Sequence, residues 1–197
     1  AMNERGFPAD ANWPLPGQII QGGESDVNGA DSIRIRYQGA DDGSITTCLG
    51  RVVPANNPAL PINQLMADIT FSLSPPDGDG GRALWCTDNS GPNPTPQPLV
   101  GGLQDMQIWY GLSQGVGGMQ ANGRLTGATA YVRADQVPAN EWDRVIGVRI
   151  SLLVRSDQDR LTLEPQTIVF NDAPLAVNDR RMRYVMGTTA NVRNQSP

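Results

Sequence analysis

Apolar and polar positions alternate with a period of two through most of the chain, and they do so in short runs. In SIRIRYQG (32–39), Ile33, Ile35 and Tyr37 fall on one side and Arg34 and Arg36 on the other, the pattern of a half-buried strand. GADDGS then turns the chain, and ITTCLGRVV (45–53) reads as a second strand completing a hairpin. After the proline-spaced PANNPALPINQ, Ile69, Phe71 and Leu73 alternate with Thr70, Ser72 and Ser74 as a third strand; PPDGDGG turns again, and RALWCT (82–87) is a fourth. The polar, proline-rich DNSGPNPTPQP reads as a surface loop. In LVGGLQDMQIWYGL (99–112), Leu103, Met106, Ile108 and Tyr110 share a buried side if a bend at Gln104-Asp105 resets the register. VIGVRISLLVRS (145–156) carries the strongest signal: Ile146, Val148, Ile150, Leu152 and Val154 oppose Gly147, Arg149, Ser151 and Arg155, as in a central antiparallel strand with one wet face.

Weaker segments fill the rest. The first thirty residues show no sustained period and read as an irregular lead-in anchored by Trp13 and Ile19-Ile20. SQGVGGMQANGRLTGA is glycine-heavy and reads as a mobile loop. RADQVPANEWDRV predicts a single helical turn with Asp135 or Asn140 as N-cap ahead of Glu141-Trp142-Asp143. QDRLTLEPQTIVFNDAPLAVND follows as short extended pieces. DRRMRYVMGTTANVRN (179–194) is the last strand, interleaving Arg180, Arg181, Arg183 and Arg193 with Met182, Tyr184, Val185, Met186 and Val192. No repeat, heptad or long helix interrupts this. The expectation is a mainly β fold, one domain over 1–197, with 1–30 as lead-in and 31–194 as the sheet body.

Composition sharpens the picture. Twenty-two glycines and 16 prolines suit short strands and many turns, and a chain of 197 residues is long enough for one core. The formal net charge is −5, and with no lysine every one of the 15 basic residues is an arginine scattered among acids, so no nucleic acid is expected as a partner. The absence of histidine removes Ser-His-Asp and Cys-His nucleophile activation, the commonest metal ligand and the usual proton shuttle. No apolar run reaches the roughly 18 residues needed to span a bilayer, and AMNERGFPADANW lacks the charged and apolar regions of a secretory signal.

Cys48 and Cys86 are the only thiols. In a turn-rich β chain they argue for a disulfide and an oxidising compartment, against the alternative of two buried free cysteines in a cytosolic protein. Such a bridge would add roughly 3 to 4 kcal/mol on the chain-entropy model. Asp77 and Asp79 in PPDGDGG resemble part of a calcium loop, but six or more oxygens are needed and the later glutamate is missing, so the stretch reads as a hairpin turn. GLSQGVGG lacks the Lys-Ser/Thr of a phosphate loop. Glu141, Asp143 and Asp157 to Asp159 could supply paired carboxylates, yet spacing alone unites none of them. Trp13, Trp85, Trp109 and Trp142 could line a sugar-binding face or simply pack. Arg34, Arg36, Arg149, Arg155, Arg181 and Arg183 all fall on the polar sides of strands. A shared sheet face would make them either a partner surface or a set of cross-strand ion pairs.

Three stretches in order resemble the periplasmic part of a PilW-type minor pilin of the bacterial type IV pilus: PLVGGLQDMQIWYG (98–111), WDRVIGVRISLLVRS (142–156) and DRRMRYVMGTTANVRN (179–194). ADSIRIRYQG and the pairing of CLG with LWC add weaker agreement. The resemblance spans about residues 30 to 194. It implies an α+β pilin-like head whose terminal strand closes the sheet, with its arginines on the wet face and Met, Tyr and Val underneath. It implies that a type III signal and a long apolar transmembrane helix precede a chain of this type; since neither is seen here, the chain reads as a fragment. The implied role is a non-catalytic subunit, without cofactor, that primes pilus assembly with other minor pilins, contacts the major pilin and a tip adhesin, and remains at the tip. It would face the periplasm from the inner membrane before reaching the cell surface in a pilus serving motility, adhesion or DNA uptake. A J-type pseudopilin of type II secretion and a carbohydrate- or surface-binding adhesin module are the alternatives.

Overall fold

The computed structural model describes residues 7–24, 29–55, 59, 65–113 and 127–192. Ten strands form within them: β1 Ile20–Gly23, β2 Ser32–Gln38, β3 Met66–Leu73, β4 Arg82–Asp88, β5 Gln97–Ser113, β6 Ala128–Val132, β7 Val145–Arg155, β8 Thr167–Phe170, β9 Ala173–Ala176 and β10 Arg183–Asn191. An antiparallel sheet runs β1-β2-β3-β4-β5-β7-β10, with β6 added to the far half of β5, and β8-β9 form a separate hairpin. The antiparallel sheet expected from the alternation is present. No helix among the described residues is long and apolar enough to cross a membrane.

β5 organises the sheet. At 17 residues it is long enough to pair with β4 through its first third, with β6 through its last four residues and with β7 along most of its length. The predicted bend is there: the β5–β7 register shifts between Leu103 and Asp105. That extra residue brings Leu103 onto the side of Met106, Ile108 and Tyr110, and all four are buried. Their core takes in Ile20 and Ile33 from β1 and β2 and Val145 and Val148 from β7, with Phe71, Leu73, Leu84, Ile150 and Leu152 half-buried against it.

Three local expectations differ from the structure. The lead-in is anchored at Trp13 and Ile20, but it also supplies β1, with Ile20 opposite Ile35. ITTCLGRVV does not pair with β2. It folds back on itself through a Thr46–Val52 bridge and a turn closed by Gly50 N–H to Thr47 O (2.9 Å), and lays Val53 over Ala67, Ile69 and Cys86; β3 takes the place beside β2. The disulfide Cys48–Cys86, Cα atoms 6.4 Å apart, ties this flap to β4. Between β6 and β7, two 3₁₀ turns, Ala134–Gln136 and Trp142–Arg144, replace the single predicted turn, and Arg133 and Glu141 precede them rather than Asp135 or Asn140. The glycine-heavy loop at 114–126 lies outside the described residues.

The sheet curls until its beginning meets its middle. β5 leaves β4 after Leu103 and gains β6 only at Tyr110, so its edge between them lacks a strand partner. Asp31, just ahead of β2, fills that gap: its N–H donates to Met106 O (2.8 Å) and its carboxylate accepts the Ile108 N–H (2.7 Å). Close by, Gly22 of β1 packs against the Tyr110 hydroxyl with no space for a Cβ, and that hydroxyl donates to Ser32 O (3.3 Å). Glu24 braces the junction, accepting from Arg133 Nη2 (2.7 Å) and Ala134 N–H (2.9 Å).

This closure titrates. Burial pushes Asp31 up to about 7, with the Ile108 N–H opposing the shift and the charge of Glu24 adding to it. Burial also opposes charge on Glu24, but Arg133 and the Ala134 N–H outweigh it and hold Glu24 below its usual range. Because Asp31 binds its proton more tightly folded than unfolded (ordinary value 3.8), its contribution is full below about pH 4 and is lost as pH rises through 7. Asp31→Asn keeps an oxygen for Ile108 and cannot ionise. In urea unfolding at pH 4.5 and 7.5, the wild type should lose more stability on going to 7.5 than Asp31→Asn does. Parallel losses would show that Asp31 carries no part of the pH dependence.

Candidate functional site

The six arginines singled out in the sequence do share one sheet face, the side away from the core, but most of it is not wet. At the β2 end the lead-in covers it. Arg36 is buried (3% exposed) and donates to Gln18 O, Pro8 O (2.9 Å) and Phe7 O (3.4 Å), its guanidinium lying 4.8 Å from the Trp13 ring and 5.2 Å from the Phe7 ring. Arg34 forks onto Asp68 with two 2.7 Å bonds, and Trp13 Nε1 donates to the same carboxylate at 2.9 Å. Two strand arginines, a tryptophan and an aspartate thus hold down a segment with no regular structure.

At the other end a strap and a hairpin do the covering. The β3–β4 turn is shaped by Asp77, whose carboxylate accepts the N–H groups of Gly81 (2.6 Å) and Asp79 (3.0 Å). The turn crosses toward β7 and β10: buried Arg155 donates to Asp79 O (2.6 Å), and Arg181 donates to Asp79 Oδ2 (3.0 Å) and to Asp157 O. Asp77 and Asp79 therefore sit against guanidinium groups, and the described residues contain no group of three or more acids, histidines or cysteines placed to hold a metal ion. Arg183 is also buried, forked onto Asp179 and donating to Gln104 Oε1 (2.7 Å); the paired guanidinium lowers Asp179 to about 2. Gln166 and Asn171 bring the β8–β9 hairpin over this face, through Arg183 N–H (2.9 Å) and Gln107 (3.5 Å).

The last strand closes the sheet edge as expected, but the exposure of its two faces is inverted. Arg183 lies inside, while Met182, Tyr184 and Met186 are 51%, 69% and 53% exposed. The cause is the hairpin, which buries the arginine side, whereas the core side of β10 lies beyond the elements that cover β5. Arg193 lies outside the described residues, as does GLSQGVGG beyond Ser113.

The other candidates separate. Glu141 pairs with Arg144 (3.0 Å), and Asp143 is raised by burial; Asp157 and Asp159 lie beyond the opposite end of the 11-residue β7, about 35 Å away at strand rise. No carboxylate pair forms across that span. Trp13 is buried and Trp142 meets Tyr110 edge to face at 4.9 Å, so neither lines a sugar site; Trp85 lies beside an open groove with Asp77, Arg82 and Asp157.

One stretch of the arginine face stays open. Arg149 is exposed at mid-sheet, with Trp109 opposite it on β5 and Thr189 on β10. Its guanidinium lies 4.7 Å from the ring centroid of Tyr131 on β6. That ring rests on two glycines of neighbouring strands: a Cβ on Gly111 would stand 3.0 Å from the ring, and one on Gly147 3.3 Å from its hydroxyl. Sequence reading passed over Tyr131, although Gly111 and Gly147, paired across β5 and β7, mark where a ring can lie flat.

A family model described as type IV pilus-assembly protein W matches residues 75–194. No curated protein matches the chain in sequence. Among solved structures, a type IV-like pilin from Thermus thermophilus has a similar fold at a TM-score of 0.51, with 14% identity over 91% of this chain and 85% of that one.

Because Arg36 satisfies three backbone carbonyls from a fully buried position, Arg36→Met should destabilise the protein by about 3 kcal/mol and speed amide exchange across residues 7–18. Arg149→Met should change stability by less than about 0.5 kcal/mol. Urea unfolding with exchange mass spectrometry checks both, and equal losses would mean that the lead-in is not held by Arg36.

Proposed function

Since the chain belongs to the type IV pilus-assembly protein W family, matched over residues 75–194, we propose that it is a minor pilin that joins other minor pilins to prime pilus assembly and stays at the tip. In this reading it contacts the major pilin and a tip adhesin, and it works from the periplasmic side of the inner membrane until it is carried to the cell surface. Its mechanism is surface complementarity and needs no catalytic group.

The observation that carries the reading is the core-side face of the sheet. The β1–β2 end closes over Met106, Ile108 and Tyr110, but Phe71, Leu73, Leu84, Ile150 and Leu152 stay half-buried, and the strip runs out to exposed Met186 and Tyr184 on β10. A globular head with no further partner would cover such a strip, since contiguous exposed apolar area marks an interaction site. An apolar helix of the kind pilins lay on their sheet suits this strip in chemistry. The Cys48–Cys86 disulfide agrees with passage through an oxidising compartment.

Deleting the gene in its native host should lower the number of surface pili per cell at least tenfold by electron microscopy, with recovery on complementation by the full-length gene. Unchanged pili would overturn the proposal. Unchanged pili together with lost export of secreted proteins would point instead to the J-type pseudopilin role.

A further inference from the structure

Five of the six arginines are engaged inside the molecule: Arg34 by Asp68, Arg36 by three carbonyls, Arg155 and Arg181 by the 75–81 strap, and Arg183 by Asp179 and Gln104. Arg149 is the exception. Among the described residues its guanidinium makes no ion pair or hydrogen bond; it has only the Tyr131 ring. The β5–β6 connection (114–127) and the end of the chain (192–197) border this patch in sequence, and neither contains an acidic side chain.

We propose that Arg149, held on Tyr131 beside Trp109, is the docking point for an aspartate or glutamate side chain of a neighbouring pilus subunit. The chemistry follows from how the guanidinium is held. Tyr131 takes its flat face, and the glycine trough fixes Tyr131, so the edge with its fork of N–H donors stays available for a carboxylate. Little side-chain freedom remains to be lost on binding, which favours affinity. An arginine among aromatic residues is also the composition in which binding energy concentrates. A polyanion fits less well: phosphate backbones and lipid surfaces call for clustered cations, and among the described residues a single one stands on this stretch of a chain of net charge −5.

This assignment rests on the pilus-subunit reading above, and the experiment separates the two. In native cells lacking the chromosomal gene, full-length protein carrying Arg149→Glu, Arg149→Lys or Arg160→Glu is compared with wild type, alongside a photo-crosslinker placed at Thr189. Arg149→Glu should cut piliation roughly tenfold or more, the scale of a hot-spot side chain, while Arg160→Glu, an equal charge change on the β7–β8 excursion, leaves it intact. Arg149→Lys, which keeps the charge but loses the planar fork, should fall between. The crosslink should land on another pilus subunit within a few residues of an Asp or Glu, and reversing that acid to Arg should restore piliation to Arg149→Glu. If gene deletion abolishes pili but Arg149→Glu supports them fully, the docking assignment fails while the pilus role stands. If deletion leaves pili unchanged, the pilus role itself fails. Thermal unfolding of each purified variant, expected within a degree or two of wild type, separates lost docking from lost folding.

Discussion

A guanidinium group carries five N–H donors and a charge, and one taken out of water needs acceptors brought to it. The architecture turns on that constraint. This sheet is apolar on one side and studded with arginines on the other, and three of those arginines, Arg36, Arg155 and Arg183, are buried. Acceptors must therefore come to them, and much of the irregular chain is deployed to supply them. The lead-in brings carbonyls of Phe7, Pro8 and Gln18, the 75–81 turn brings Asp79 O and the Asp77 carboxylate, and the approach to β10 brings Asp179. Segments without regular secondary structure are thus held by charge-assisted bonds where a helical protein would use a second apolar layer.

A second constraint comes from the length of β5. A strand of 17 residues cannot keep one neighbour along its whole edge when β4 has only seven. The stretch between β4 and β6 would leave backbone groups of Met106 and Ile108 unpaired in the core, a costly outcome. Asp31 resolves it by offering a main-chain donor and a side-chain acceptor at the spacing a strand would present. The consequence reaches beyond two hydrogen bonds. To place Asp31 there the sheet must curl, and the curl buries Tyr110 beneath β1 and brings Glu24 to Arg133.

Period-two alternation located the strands of the main sheet from β2 onward except β6, whose short Ala128–Val132 run went unread, and the Leu103-to-Met106 spacing revealed the β5 bulge, because both are written in local side-chain order. Which side of each strand would be wet was not legible. Arg36, Arg155 and Arg183 look alike in sequence to Arg149, and what separates them is whether a remote segment, up to 79 residues away, supplies acceptors. The same blindness placed Met182, Tyr184 and Met186 inside, since an alternating strand shows two faces without saying which one the rest of the chain covers. ITTCLGRVV failed for another reason: its β-branched residues suit a strand, but a central turn closed at Gly50 folds them onto each other. The pairing of Cys48 with Cys86 was open to sequence because two cysteines allow only one intramolecular bridge.

The family match begins at residue 75, just after β3. The matched part therefore holds β4 to β10, the strap, most of the half-open apolar strip and the Arg149 patch, whereas the lead-in, Asp31, Glu24 and the disulfide flap lie before it. A boundary there has a physical sense. The matched strands form a platform with two unfinished places, the edge of β5 and the outer strip ending at Met186 and Tyr184. The unmatched segment finishes the first by wrapping Asp31 onto it, and leaves the second open. Arg149 lies on the opposite face of that platform, held by a ring on a glycine trough that the platform itself supplies. One face thus leaves an apolar strip open while the other presents a cation held in a fixed place, so the two sides of one sheet differ in chemistry although the strands that build them alternate in the same way.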